Sequence, residues 1–177
     1  MDPIVDIHNV TRSFSLGKVN VKALRGVTLQ IKAGEFLAIA GPSGSGKTTL
    51  LNQIGCVDVP TSGQVKVAGS ITSALSEGEL THLRLRALGF IFQTFNLVSV
   101  LNVFQNIELP LLLQGGTTKL ERKRRIDQLL DDVGLSEQIQ QRPNELSGGQ
   151  RQRVAIARAL ITQPRICLLY TSPSPRD

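Results

Sequence analysis

Gly41-Pro42-Ser43-Gly44-Ser45-Gly46-Lys47-Thr48-Thr49 follows the apolar run Phe36-Leu37-Ala38-Ile39-Ala40 and leads into a stretch of helical character from Lys47 to about Cys56. Its spacing is glycine, any four residues, glycine, lysine and then serine or threonine, the phosphate-loop pattern. A polyphosphate is a dense anion. Gly41, Gly44 and Gly46, with Ser43 and Ser45 between them, let successive backbone N–H groups turn inward while the helix that follows offers its positive N-terminal end. Lys47 reaches the β and γ phosphates as a point charge, the Thr48 hydroxyl completes a Mg²⁺ shell made otherwise of water and phosphate oxygens, and Thr49 meets the α phosphate. The pattern specifies nucleotide binding; it does not by itself specify hydrolysis.

On the N-terminal side of the loop, Val27, Leu29 and Ile31 alternate with Thr28, Gln30 and Lys32, the two-residue period of a half-buried strand. Ala33-Gly34-Glu35 makes a turn. Residues 36–40, apolar throughout and bounded by glycines, then read as a strand buried on both faces of a mainly parallel sheet. On the C-terminal side, Val65 and Val67 flank Lys66 in another strand that ends at Gly69. Ser76 with Glu79, and Thr118 with Glu121, have capping-box spacing, so helices begin near residues 77 and 119, the second ending at Gly134. Asn102 with Gln105 caps a further helix, which Pro110 shortens unless a kink is tolerated. Residues from about 94 to 155 therefore read as mostly helical, an insertion into an α/β core.

The chain has 177 residues, 41% hydrophobic and 19% charged, enough for one domain with a core and unlike a disordered or disulfide-bonded chain. Its formal charge of +6 is spread through helices without interleaved aromatic residues, which argues for a solvated basic surface and against nucleic acid as a partner. Cys56 and Cys167 have no metal-ligand spacing, and the expected compartment is reducing and cytoplasmic. Apolar stretches such as Leu109 to Leu113 fall far short of the ~20 residues needed to cross a bilayer, so a membrane role requires a partner. His8 and His82 belong to no motif.

Leu146-Ser147-Gly148-Gly149-Gln150 precedes a helix with Val154, Ile156, Ala157, Leu160 and Ile161 on its apolar face, and Ser147 is a natural N-cap for it. Taken with the phosphate loop, Leu-Ser-Gly-Gly-Gln is similar to the signature of the ATP-binding cassette (ABC) ATPases, and Gln93, after Gly89-Phe90-Ile91-Phe92, resembles their Q-loop. The resemblance covers about residues 3–166. It implies an α/β fold: a P-loop NTPase core of RecA-like type with N-terminal antiparallel β strands and a helical insertion, incomplete at the C-terminus. It also implies that Ser147, Gly148 and Gly149, with Gln150, close over the γ phosphate held by a second copy in a head-to-tail dimer sandwiching two ATP molecules. Gln93 would touch the metal and the attacking water and face an integral membrane permease, and Phe14 would stack on adenine.

The stretches Leu88 to Leu97 and Asn106-Ile107-Glu108-Leu109-Pro110 resemble the lipoprotein-releasing and macrolide-export ATPases, with cell-division ATPases as close relatives. The implied role is an ATP-binding subunit, peripheral on the cytoplasmic face of the inner membrane, coupling ATP binding and hydrolysis to substrate export or release. The implied division is an N-terminal β and phosphate-loop part at 1–93, a helical subdomain at 94–155, a return to the core at 156–166 and a non-native tail at 167–177. That tail, Cys167 to Asp177, resembles translated DNA-library adapter sequence. Where the family runs into Asp-Glu-Pro, this chain reads Ile166-Cys167-Leu168-Leu169-Tyr170-Thr171, so no complete catalytic set is present and the fragment is expected to be inactive although its complete parent is an ATPase. Two other readings compete. A soluble ABC-type ATPase of DNA maintenance would carry a long coiled coil or zinc insertion between the motifs, and a small P-loop kinase would have no use for Gln93 or Leu146 to Gln150.

Overall fold

Val5, Ile7 and Val10 are fully buried in the first strand, an interval that breaks the two-residue alternation of a regular strand. The break sits at Asn9, whose left-handed backbone (φ 47°) inserts a bulge. Both flanking strands make room for it: a Cβ on Gly26 would lie 2.9 Å from Asn9 Oδ1, and one on Gly63 would lie 2.3 Å from the Asn9 carbonyl oxygen. The bulge re-phases the strand, so that Val10, Arg12 and Phe14 share the face that Val5 and Ile7 occupy before it.

The computed structural model describes residues 2–17 and 19–170, which divide into two compact units at Arg84/Leu85. The first unit is built on a four-stranded antiparallel sheet of order β2-β1-β3-β4, from β1 (Val5–Leu16), β2 (Val19–Ile31), β3 (Ser62–Val67) and β4 (Ser70–Ile71). The central strand β1 pairs Val5 with Ile31 and Ile7 with Leu29 on one side, and Val5 with Val67 and Ile7 with Val65 on the other. Helix α1 (Lys47–Ile54) buries Leu50, Gln53 and Ile54. Helix α2 (Glu77–Ala87) starts at Ser76, whose hydroxyl accepts from the Glu79 N–H while the Glu79 carboxylate accepts from the Ser76 N–H, as the capping spacing predicts. The Ser76 N–H, and then the Ser76 hydroxyl, which also donates to this carboxylate at 2.7 Å, hold the Glu79 carboxyl below the usual carboxylate range. In the same unit the Arg84 guanidinium donates to the carbonyl of buried Cys56.

The turn at residues 33–35 forms as expected, with Gly34 left-handed and the Glu35 N–H on the Lys32 carbonyl. The strand expected at 36–40 does not form: these residues have no ladder partner among the described residues, and Phe36 is 94% exposed. Apolar composition makes a segment fit for a buried parallel strand, but only neighbouring strands on both sides make it one.

The second unit holds a two-stranded parallel sheet, β5 (Leu88–Ile91) beside β6 (Ile166–Leu169), and three helices, α3 (Val103–Gln114), α4 (Lys119–Asp132) and α5 (Gly148–Leu160). Cys167 to Leu169, inside the stretch expected to be a foreign tail, thus form a strand; residues 171–177 of that stretch lie outside the described residues. The helices enclose Val103, Ile107, Leu111, Ile126, Leu130, Val154 and Ala157. Side chains cap all three: Asn102 with Gln105 as a reciprocal box, Thr118 on the Glu121 N–H, and Ser147 with Gln150. Helix α3 runs through Pro110 to Gln114, because the cap and the buried Val103–Ile107–Leu111 stripe outweigh one missing N–H. Helix α4 ends just before Gly134, whose φ of 65° lets the Leu135 N–H reach back to the Leu130 carbonyl.

Tyr170 follows β6, its N–H on the Ile91 carbonyl and its ring stacked 5.2 Å from Phe92. Burial pushes its hydroxyl up to about 12. An unfolded chain ionises near the ordinary tyrosine value of about 10, so this group's contribution to stability is intact below about pH 10 and is lost as pH rises through its folded value. As the sole tyrosine it can be titrated by near-ultraviolet absorbance. A midpoint about 12 is expected, and one at the ordinary value would show that the ring does not pack on Phe92.

Candidate functional site

In the first unit the phosphate loop leaves residues 36–40 and closes on α1. Gly41, Gly44 and Gly46 all have positive φ, at 153°, 80° and 92°, and the Ser45 N–H turns back onto the Pro42 carbonyl at 3.2 Å. Gly46 is the N-cap of α1 and offers no side chain, so no side-chain acceptor uses the first N–H groups of that helix. Its backbone also passes against β2: a Cβ there would lie 2.5 Å from the Ala23 carbonyl oxygen. Sequence and packing thus combine to present uncapped donors at the end of a helix dipole, an arrangement suited to an anion.

Lys47 folds across the loop, its ammonium donating to the Gly41 carbonyl and, at 2.8 Å, to the Pro42 carbonyl. These are neutral acceptors. A phosphate oxygen carries full charge and makes the stronger, charge-assisted bond, so Lys47 is held near the loop but free to exchange partners. The Thr48 side chain is exposed at the first turn of α1, and Thr49 is half-buried beside it.

Phe14 lies on β1, its Cα opposite Val21 of β2, and remains 38% exposed. The guanidinium carbon of Arg12 sits 4.7 Å from the centroid of its ring. Reasoning from sequence overlooked Arg12; the signal available was its position two residues before Phe14, on the same face of a strand.

In the second unit Gln93 is exposed in a turn directly after β5, in which the Phe95 N–H bonds the Phe92 carbonyl at 3.0 Å. Phe95 and Asn96 follow with left-handed backbones, φ 61° and 48°, a costly pairing for residues with side chains. Arg158 of α5 holds both: its guanidinium donates to the Phe95 carbonyl at 2.7 Å and to the Asn96 carbonyl at 2.6 Å. Burial holds the Arg158 guanidinium below its ordinary value. Arg151, two turns earlier on the same face of α5, lies 5.9 Å from the centroid of the Phe95 ring. Just downstream, buried Asn106 accepts from the Val98 N–H and donates to the Val98 carbonyl. The segment after Gln93 is therefore fastened to the helix that begins with the signature. Neither arginine could be identified from the sequence, because each meets its partner across more than fifty residues of chain.

Ser147 caps α5 as predicted, the Gln150 N–H reaching its hydroxyl at 3.3 Å while the Gln150 amide oxygen accepts the Ser147 N–H at 2.8 Å. Gln150 is thereby engaged in the cap. Gly148 and Gly149 differ from Gly46: both have ordinary helical backbones, and a Cβ on either would meet nothing within 4 Å. Nothing among the described residues requires glycine there, although each glycine in a helix costs up to about 1 kcal/mol relative to alanine.

Among the described residues no group of three or more His, Cys, Asp or Glu side chains could hold a metal ion, and no helix is long and apolar enough to cross a membrane.

The profile described as "ABC transporter" matches residues 24–169. An ABC transporter ATP-binding protein of Thermotoga maritima is 47% identical over 174 residues, 98% of this chain and 74% of that protein. The macrolide export ATP-binding/permease protein MacB of Marinobacter nauticus is 46% identical over 90% of this chain and 24% of its own length. The dimeric, ADP- and Pi-bound structure of the ATP-binding cassette MJ0796 of Methanocaldococcus jannaschii superposes with a TM-score of 0.86 at 46% identity, covering 93% of this chain and 72% of that one. Nothing in these likenesses supports the DNA-maintenance reading. With a phosphate loop, a capped signature helix and a profile match that takes in both, the chain belongs to the ABC transporter ATP-binding family.

Proposed function

We propose that this chain binds ATP at Gly41 to Thr49 and closes, head to tail, on a second copy whose Ser147, Gly148 and Gly149 cover the γ phosphate. The observation that carries the reading is the empty space around Gly148 and Gly149 at an exposed helix N-terminus. Two helix N-termini, those of α1 and α5, are set up as anion donors, and one copy of the chain has no evident use for the second. The partner of MJ0796 in its dimer is another copy of itself, which supports the same arrangement here.

Mg²⁺ fits a donor set of one hydroxyl, that of Thr48, with phosphate oxygens and water completing a hard-oxygen shell; when bound it neutralises phosphate charge. Lys47 supplies fixed positive charge to the β and γ phosphates, and the N–H groups at the start of α1 orient them. Gln93, exposed beyond β5, is the group through which nucleotide state would be read by a membrane permease on the cytoplasmic side, as the permease portion named in MacB suggests. Substrate export or release would follow from closure of the dimer. Between Glu145 and Asp177 the chain has no carboxylate, so it lacks the metal-holding aspartate and water-orienting glutamate expected after β6 and should bind ATP without turning it over.

The test is light scattering of the 177-residue chain with and without Mg²⁺ and ATP. An ATP-dependent doubling of its 19.2 kDa mass without release of phosphate is expected. A chain that binds ATP and stays monomeric at all accessible concentrations would rule out the closure reading, and sustained phosphate release would rule out the binding-only reading.

A further inference from the structure

We propose that Arg12 is a positioning residue for the nucleobase, fixing the ring of Phe14 and tying it to the helix that follows the phosphate loop. The inference rests on the reading of Phe14 as the residue on which adenine stacks. Its own basis is a continuous chain of contacts within the first unit. Gln53, fully buried on α1, donates from Nε2 to Asp58 Oδ2 at 3.2 Å. The same Asp58 oxygen lies 2.7 Å from Arg12 Nε, an ion pair by separation although the N–H is not aimed along that line as a hydrogen bond requires. The other Asp58 oxygen accepts the Val59 N–H at 2.9 Å. The Arg12 guanidinium then lies over Phe14, its carbon 4.7 Å from the ring centroid and well within the range of a cation–π contact.

Each step has a consequence for a bound base. A phenylalanine near the end of a hairpin strand is free to change rotamer, and ordering it on binding costs affinity. The guanidinium covers one face of the ring and favours a single orientation, leaving the opposite face for a flat ligand. The Arg12–Asp58 pair is itself sheltered, with side chains only 23% and 20% exposed, so it is less screened than a surface pair. Because Asp58 is also bound to α1, the platform for the base and the helix carrying Lys47 and Thr48 are held in one register. A purine nucleoside triphosphate, with a base at one end and phosphates at the other, is the ligand such a register serves. Inorganic tripolyphosphate engages only one end.

The experiment compares binding of ATP and of inorganic tripolyphosphate, each with Mg²⁺, to the complete chain by calorimetry. The wild-type chain should bind ATP more tightly. Phe14→Ala should lose about tenfold in ATP affinity, Arg12→Ala about fivefold, and the double variant no more than Phe14→Ala alone. Arg12→Lys, which keeps a cation without the fork, should recover part of the loss, and Asp58→Asn, which frees Arg12, should reproduce part of it. Tripolyphosphate affinity should stay within about twofold throughout, since each change acts at the base end. If Phe14→Ala binds ATP like the wild type, the nucleobase reading of Phe14 falls and this inference with it. If Phe14→Ala loses ATP while Arg12→Ala and Asp58→Asn do not, or if the double variant is additive, only the role of Arg12 is overturned. Equal loss of ATP and tripolyphosphate in Arg12→Ala would show that Arg12 serves the fold alone.

Discussion

Gly46→Ala is expected to lower ATP affinity by about two orders of magnitude, and Gly44→Ala by no more than about tenfold. The two glycines have nearly the same backbone, φ 92° and 80°. An added side chain therefore brings the same left-handed strain at either position, about 1–2 kcal/mol. Their surroundings differ. At Gly44 a Cβ meets nothing within 4 Å, whereas at Gly46 it lies 2.5 Å from the Ala23 carbonyl oxygen and 3.3 Å from the Leu24 side chain. Ala23 belongs to β2, where it falls at a register irregularity held between two paired residues, Lys22 opposite Ser13 and Leu24 opposite Arg12, and Leu24 is buried. The strand will not yield, so the loop must. Moving Gly46 tilts the start of α1 and misaims the N–H groups that would hold phosphate, and about 3 kcal/mol of combined strain and misdirection corresponds to roughly 100-fold in affinity. Calorimetric titration of both variants checks this, with urea unfolding to show that each remains folded. Equal, small losses in the two would mean that the close approach to Ala23 does not constrain the loop.

What could be read from the sequence follows from the range of the forces involved. The boundaries of α1 and α4, the start of α2, and the caps at Ser76, Asn102, Thr118 and Ser147 are set by residues within one turn of each other, and the structure puts them where the spacing predicts. The phosphate loop and the signature are local patterns of the same kind, and the family follows from the two together. Residues 36–40 failed as a strand because pairing is not local: Val-rich β1 has partners on both sides, while Phe36 to Ala40 has none among the described residues. The Asn9 bulge was equally hidden. Only when Gly26 and Gly63 are seen flanking it does the phase of Val10, Arg12 and Phe14 relative to Val5 and Ile7 become clear. Arg158 was out of reach for the same reason, since its carbonyl partners at Phe95 and Asn96 lie more than sixty residues away.

Replacing both Gly148 and Gly149 by alanine should leave the isolated chain as stable or more stable, while removing its ATP-dependent association. The two halves of this expectation come from different physics. In the single chain both residues are helical and exposed, and a Cβ on either has open space around it. Alanine loses less backbone entropy than glycine on entering a helix, so the substitutions should raise the unfolding free energy by about 0.5–1 kcal/mol in total, less than two interior positions would give because they lie in the first turn. Asn102, Thr118 and Ser147 all show that this protein caps helices with side chains where it can, so a pair of glycines after Ser147 is a cost retained in the isolated fold. Closure reverses the balance. If a triphosphate held by another copy must come within hydrogen-bond distance of the N–H groups at the start of α5, two methyl groups stand where its oxygens would approach, and the donors of that helix end are lost to the ligand. The loss should be at least about 100-fold in association, since charge-assisted bonds to phosphate are worth about 1.5–3 kcal/mol each. Urea midpoints and light scattering with ATP measure the two effects separately. A variant that is destabilised as a monomer would show that the glycines serve the fold, and one that still pairs as tightly as the wild type would show that the exposed start of α5 does not meet the nucleotide.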